Sequence, residues 1–436
     1  MIDYFRTVFL FASCAIAAAA SPASGAAYRV VYYLEQYSQP GPLAEGSPGV
    51  FYTHVVPPEV IISVNTQGIM TPLATFPSPP STIESNPVTA ANGLLYSSVE
   101  KLINGGSGNV FSMASTAGTQ QVYPSQSFAP SPLSGNLPDG TLFGLAYGFS
   151  VGPWNLVTVD LSGNVKPFHQ FPATDRPSQV VYGTDGNYYG TAYTRNAPGS
   201  YFYKVTPTGS FSKLATLPYI GRGLLLQSTD GNFYGTVPAS PGCLGAGQHG
   251  AVFKLTMSGQ YSVLHDFGLC ANALVNSLIE GSDGKLYGAT QGNGVLFSLS
   301  KSGDYKLEYQ MMDASVQGQC PCSLLQASDG MFYGTASGGG PRGSGVVFAL
   351  NAGLPPPTPR ARQFQPTSGA AGTQVRIWGE NLFGASVAFN GVPAAKLSNS
   401  GPNYVWATVP RGATTGPVTV TKPGSKSTKL ASFTVE

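Results

Sequence analysis

The side chains able to do chemistry are few: 436 residues include four histidines, and only 10% are charged. Five aspartates, Asp139, Asp185, Asp230, Asp283 and Asp329, each stand directly before a glycine. Such residues suit calcium or acid–base work, or a hairpin turn in which Asp bonds back to its own backbone and Gly supplies a positive φ. Because they recur once per repeat, the turn is the expectation. Glycoside cleavage needs two carboxylates about 5 to 10 Å apart, and outside the turns no acidic pair stands out. His169 and His265 hold equivalent positions in two repeats and are expected to pack, as is His54 on a strand. His249, in a glycine-rich stretch, is the histidine with an expected exposed role. No histidine pair has metal-ligand spacing and no Cys-x-x-Cys is present. The GGG at 338–340 lacks the Lys-Ser/Thr of a phosphate loop. The expectation is no catalytic residue, no metal and no cofactor.

The elements that position these residues are repeats. An apolar stretch, a small residue, Asp-Gly, two residues and an aromatic, then usually Gly, appear as GTDGNYYG (183–190), STDGNFYG (228–235), GSDGKLYG (281–288) and ASDGMFYG (327–334). Weaker copies are LPDGTLFG (137–144), AANGLLYS (90–97) and GSPGVFYT (46–53). The anchor glycines Gly49, Gly93, Gly140, Gly186, Gly231, Gly284 and Gly330 are spaced by 44, 47, 46, 45, 53 and 46 residues. Each anchor is followed by a β-rich run ending in a second turn glycine, and six of those turns by a further strand. Four antiparallel strands, A to D, every 45 or so residues is the repeat of a propeller blade. The last unit runs into LPPP at 354–357 without a strand D, while YRVVYYL (28–34) precedes the first unit as an orphan. Placing that strand as D of the last blade closes the ring and removes an exposed edge. The expectation is an all-β, seven-bladed propeller over 28–353.

Composition agrees with many short strands and turns. Gly (55) and Pro (36) are abundant, yet hydrophobics at 42% and aromatics at 11% supply a core, which excludes a disordered chain and a helical bundle. Residues 359–436 carry eight Lys and Arg against Glu380 and Glu436, a net +6 that leaves 2 − 6 = −4 for the rest. Two bodies are implied, joined by a stiff Pro-rich linker at 354–359. An overall charge of +2 argues against nucleic acid as the partner of the whole chain, leaving anionic polymers for the +6 module as a weaker reading.

At the N-terminus, TVFLFASCAIAAAA after Arg6 is too short to span a bilayer and suits a signal peptide, residues 1–20, cut after Ala20, or after Ala26 or Ala27. A lipobox ending in Cys14 is the alternative. No other segment is apolar enough to cross a membrane, so export is expected. The mature chain then holds an even number of cysteines. In a propeller the B-to-C loops and D-to-A connections share one face, which places Cys243 and Cys270 of one blade together as a disulfide. Cys320 and Cys322, flanking Pro321, are left as a second pair, thiols or metal ligands.

The repeats, above all over 180–350, resemble the GloVer tandem repeats of bacterial choice-of-anchor surface proteins. The matching residues are Leu225-Leu226, Asp230-Gly231, Tyr234-Gly235-Thr236, Gly245 to Gly250, Val252-Phe253 and Leu264-His265-Asp266-Phe267. Residues 360–436 resemble an IPT/TIG module, an immunoglobulin-like sandwich, through PTSGAAGTQVRIWGENL (366–382), VAFNGVPAAKL (387–397), WATVPRGATTGPVTV (406–420) and FTV (433–435). The resemblance implies a surface or secreted protein with a spacer or interaction module.

Any ligand is expected on the face carrying the long B-to-C and D-to-A loops, where Tyr147, Trp154, Tyr193, Arg195, Tyr219, Arg222, His249 and Arg342 fall. Aromatic rings beside arginines suit stacking on sugars or peptides. The expected function is an exported, monomeric, non-enzymatic binding or scaffold protein for carbohydrate or protein. The alternative is a propeller enzyme acting on polysaccharide, a lyase or glycosidase.

Overall fold

The computed structural model describes residues 27–436, apart from 36–38, 57–59, 76–80, 84–87, 91–93, 102–106, 114–120, 125–127, 138, 149–152, 196–198, 218–222, 238–249, 268–273, 292–293, 399–400 and 402. The chain is all-β. Its helical content among the described residues is one turn, Ala314–Gln317, capped by the Asp313 side chain on the amide of Ser315 at 2.9 Å.

Residues 175–217 show how the sequence makes a sheet. Strands Asp175–Tyr182, Tyr188–Thr194, Ser200–Val205 and Phe211–Leu217 pair antiparallel in chain order. The two middle strands are almost wholly buried and rich in aromatic and β-branched residues, as strands covered on both faces must be. The glycine of Tyr-Gly-Thr has a packing reason: a Cβ on Gly190 would lie 2.3 Å from the Tyr203 hydroxyl. On Gly235, Gly288 and Gly334 it would meet the rings of Phe253, Phe297 and Phe348. The same four-strand order recurs at 128–170, 225–266 and 275–310. In the two sheets over 39–75 and 81–124 the first strand is broken into two short pieces that share one neighbour.

Strands Gln319–Gln326, Phe332–Gly338 and Val346–Asn351 form the sheet that follows 275–310. Its fourth strand comes from the other end of the chain. Ala27–Tyr33 pairs antiparallel with Val346–Asn351, with a bulge between Val30 and Tyr32. Tyr28 stacks on Tyr309 with ring centroids 4.4 Å apart and donates its hydroxyl to the Gln317 carbonyl.

Consecutive sheets pack face to face. Tyr189 and Phe202 meet Phe233 and Phe253 across one seam, and Tyr234 and Val252 meet Leu286 and Phe297 across the next. The final sheet packs on the first in the same way, with Phe51, Val60 and Val64 against Tyr333, Val347 and Ala349. Full burial of one such Phe contributes about 1.5 to 3 kcal/mol. The resulting body is β-propeller-like.

Residues 360–435 form two further sheets. One runs Arg360–Gln365, Gln374–Glu380, Tyr404–Thr408, Lys396–Ser398; the other joins Ser368–Gly369, Thr428–Val435, Gly416–Thr421, Ser386–Phe389 and Val392–Pro393. Val375, Ile377 and Val405 of the first close on Val387, Phe389, Val418, Val420 and Phe433 of the second in one core.

Candidate functional site

The repeated aspartates lie at one end of the propeller-like body and are committed to their own turns. In each, Oδ1 accepts the amide two residues on: Thr141 for Asp139, Asn187 for Asp185, Asn232 for Asp230, Lys285 for Asp283 and Met331 for Asp329, at 2.9 to 3.2 Å. Where a tyrosine follows four residues on, its hydroxyl donates to Oδ2: Tyr189 to Asp185 (2.8 Å), Tyr234 to Asp230 (2.9 Å), Tyr287 to Asp283 (3.2 Å) and Tyr333 to Asp329 (2.9 Å). Gly140, Gly186, Gly231, Gly284 and Gly330 all adopt positive φ. Burial by itself would raise the carboxyls of Asp185 and Asp230, but these donors hold both below the ordinary range.

A second device joins neighbouring sheets: the residue directly before a turn aspartate donates its amide to a Gln or Glu near the turn of the next sheet. The amide of Thr184 donates to Gln227 Oε1 (2.8 Å), that of Thr229 to Glu280 Oε2 (2.9 Å), that of Ser282 to Gln326 Oε1 (2.8 Å) and that of Ser328 to Glu45 Oε2 (2.9 Å). Each acceptor belongs to the sheet following its donor, and the last bond runs from the final sheet to the first.

At the opposite, loop-rich end the structure brings together one of the expected groups. Tyr147 and Trp154 are paired across neighbouring strands, their ring centroids 5.4 Å apart. Tyr193 and Arg195 close the strand of the next sheet, where the Arg195 amide donates to the Thr174 carbonyl at 2.7 Å. Beside them Asp175, buried, accepts the hydroxyls of Tyr201 (2.5 Å), Thr194 (2.9 Å) and Thr174 (3.1 Å). This carboxylate was missed in the sequence, because it lies on a strand and repeats nowhere else. Arg342 is ion-paired with Glu35. Tyr219, Arg222, His249, Cys243 and Cys270 lie outside the described residues. Cys320 and Cys322 stand as free thiols; burial pushes that of Cys322 up.

The strand histidines pack. His169 stacks on Phe211 (5.1 Å, planes 7° apart) and meets the edge of Phe171. His265 stacks on Tyr305 (4.8 Å, 8°) and meets Phe267. Among the described residues no group of three His, Cys, Asp or Glu converges as a metal site, and no helix is long and apolar enough to cross a membrane.

The C-terminal unit sits over the turn end. Asn403 Nδ2 donates to the Thr89 carbonyl at 2.8 Å, Ser282 Oγ to the Pro355 carbonyl at 2.7 Å, and Arg360 reaches Glu280 at 3.3 Å. Between the two bodies lies a cavity of about 570 Å³. Its walls are the ends of the first strands of several sheets, including Glu45, Thr89, Asn136, Gln179 and Gln227, closed by Trp378, Glu380 and Asn403. A neighbouring cavity of about 690 Å³ shares with it the Arg362–Glu380 ion pair (2.6 Å). Half of the unit's cations are engaged, Arg360 with Glu280 of the propeller-like body and the others mainly within the unit itself. Arg360 and Arg362 pair with acids, Arg376 lies over the rings of Trp378, Tyr404 and Trp406 at 5.0 to 5.6 Å, and Lys422 is buried. Lys396, Arg411, Lys426 and Lys429 remain exposed.

Residues 176–371 match the Gloeobacter/Verrucomicrobia repeat family, the region in which the Asp-Gly turns are most regular. No curated protein matches the chain. Among solved structures, a catalytically inactive virginiamycin B lyase from Staphylococcus aureus with quinupristin is similar, with a TM-score of 0.57 and 12% identity over 74% of this chain and 99% of that one. A streptogramin B lyase is similar with a TM-score of 0.55 and 13% identity over 75% of this chain and 98% of that one. At these identities the likeness is one of fold, and that fold is propeller-like.

Proposed function

We propose that the protein is an exported, non-enzymatic binding or scaffold protein. Its body is a seven-bladed propeller over 28–353, closed by the N-terminal strand. A linker at 354–359 leads to an immunoglobulin-like IPT/TIG module over 360–436. The ligand, a carbohydrate or a protein, lies on the loop-rich face. The observation that carries this reading is the fate of the repeated carboxylates. Asp139, Asp185, Asp230, Asp283 and Asp329 are held by turn amides, four of them also by a tyrosine hydroxyl, at the end away from the loops. On the loop face, Tyr147 and Trp154 supply joined aromatic surface of the kind that stacks on a sugar ring.

The lyases that share the fold favour the alternative, a propeller enzyme acting on polysaccharide, only through that fold. The experiment is a glycan and polysaccharide array on the mature protein, with released or unsaturated sugars assayed in parallel. Binding without turnover is expected, weakened about tenfold by Tyr147→Ala or Trp154→Ala, as for the loss of one stacking contact. Turnover overturns the reading.

A further inference from the structure

Cys320 stands out by its backbone. Among the described residues three that are not glycine adopt a positive φ: Cys320 at 55°, and two asparagines of the C-terminal unit, Asn381 and Asn390. Asparagine visits that region readily because its side chain bonds locally; cysteine does not. The first strands of the sheets at 128–170, 175–217 and 275–310 bulge where Gln319–Gln326 bulges, and none of them uses a left-handed residue there. The bend at Cys320 is therefore no demand of the repeat. Backbone strain that the surrounding structure maintains collects at functional positions.

The effect of the bend is visible in Cys322. Its Sγ turns back across Pro321 onto the Cys320 carbonyl oxygen at 3.2 Å, and the Ser337 hydroxyl donates to the same carbonyl at 3.4 Å. The second thiol thus lies against the residue that bears the first. Cα atoms two residues apart reach about 7 Å only in a fully extended chain. Disulfides join Cα atoms about 4.4 to 6.8 Å apart, so a segment bent at Cys320 and bulged between Pro321 and Ser323 suits one. Both thiols are free and both are partly exposed, open to small reagents.

We propose that Cys320 and Cys322 are a thiol–disulfide exchange site, a dithiol that is oxidised by a low-molecular-weight disulfide and holds the result as a bond within one strand. With glutathione disulfide, Cys320 loses its proton to solvent and its thiolate attacks one sulfur, forming a mixed disulfide and expelling a glutathione thiolate. Cys322 yields its proton through solvent to that leaving thiolate and attacks Cys320 Sγ. The Cys320–Cys322 bond closes and the second glutathione leaves, taking up the proton that Cys320 released. Two protein thiols are oxidised, one disulfide is reduced to two thiols, and no other reactant enters. The order follows from the surroundings: burial raises the Cys322 thiol above its ordinary value, so it acts second, once Cys320 carries a leaving group. The pair lies at the loop-side start of the first strand of the last sheet and stands independently of any ligand on Tyr147 and Trp154.

Trypsin releases residues 307–342 as one peptide that holds Cys320 and Cys322 and no other cysteine. The mature protein is equilibrated at pH 8 with glutathione and glutathione disulfide in varied ratio, quenched with acid, alkylated, digested and analysed by mass spectrometry. As the share of glutathione disulfide rises, the peptide is expected to pass from doubly alkylated to unalkylated and two hydrogens lighter than the dithiol. Dithiothreitol is expected to restore the doubly alkylated form. In Cys322→Ser the same peptide is expected to keep one glutathione, on Cys320, because nothing resolves the mixed disulfide. A peptide that stays doubly alkylated at every ratio overturns the proposal. So does one joined to the peptide of Cys243 or Cys270, or one that ends with glutathione on both cysteines. Should Cys322→Ser fail to fold, the unaltered protein decides.

Discussion

Glu45 and Ser328, 283 residues apart, are joined twice: the Ser328 hydroxyl donates to Oε1 at 2.7 Å and its amide to Oε2 at 2.9 Å. Glu280 occupies the equivalent place between two other sheets and takes the hydroxyl of Ser228 and the amide of Thr229. Their acidities part company. Burial raises the Glu45 carboxyl above its ordinary value, with Asp329 nearby adding to it. Burial would raise Glu280 too, but Lys301 at 2.6 Å and the bonds from Thr229 and Ser228 outweigh it and hold it low.

The two glutamates therefore contribute to stability in opposite pH windows. Glu45 favours the fold most below the ordinary carboxyl pKa, and that contribution is lost as pH rises through its raised value. Glu280 contributes above the ordinary pKa, and loses this as pH falls through its lowered value. At neutral pH Glu45→Gln is expected to change stability by less than about 1 kcal/mol. Glu280→Gln strands Lys301 and costs about 2 to 3 kcal/mol, below the full figure for a buried pair because Lys301 and Arg360 reach solvent. Urea melts of both variants at pH 4.5 and 7 check this. Equal losses at pH 7 would contradict it.

Glycines in the outer turns set how closely sheets approach. A Cβ on Gly209, at φ 88°, would lie 2.1 Å from the Phe168 carbonyl of the preceding sheet, whereas one on Gly231, at φ 82°, meets nothing within 4 Å. Gly231→Ala is expected to cost about 1 kcal/mol, from the left-handed backbone alone. Gly209→Ala adds overpacking of about 1 to 3 kcal/mol. Gly68 faces Val31 O at 2.3 Å, so Gly68→Ala should behave like Gly209→Ala, because Ala27–Tyr33 takes the outer-strand place there. Thermal melts of the three variants decide; a Gly68→Ala as mild as Gly231→Ala would show that the N-terminal strand does not pack as described.

His169 and His265 are both pushed below the ordinary imidazole value, first by burial; the Gly209 carbonyl and the Asp266 charge oppose it in part. A lowered folded value means that the unfolded chain binds protons first as pH falls below about 6.5. Stability is thus expected to decline between pH 7 and 5. The slope per histidine stays well below the ceiling of about 1.4 kcal/mol per pH unit, since both residues are only partly buried. In the His169→Phe/His265→Phe variant, chemical denaturation across this range should show a shallower decline; an undiminished slope assigns it to other groups.

Much of this was legible because its causes are local. Asp-Gly turns, the tyrosine four residues on and the glycine after it are short-range chemistry repeated in register. The pairing of Ala27–Tyr33 could be inferred because the final unit runs into prolines before a fourth strand. The acceptors Glu45, Gln227, Glu280 and Gln326 do recur three residues before the turn, but their meaning depends on a neighbouring sheet. The cavity is illegible in principle: Thr89, Asn136 and Trp378 come from distant stretches, and no local pattern marks a space formed where two bodies meet. Attention to the loop face rested on loop length, whereas the enclosed space lies at the other end.

The pairing of Ala27–Tyr33 with Val346–Asn351 also imposes a schedule. The strand made first finds its partner only after some 310 further residues, roughly 15 to 60 s at ordinary rates of synthesis. Until then both it and the last sheet present open edges, which invite pairing with other chains. A chain held extended until complete, and released to fold all at once, escapes that interval. A circularly permuted chain that begins at Gln39 and carries residues 27–35 after Asn351 would make the same sheet as an immediate neighbour.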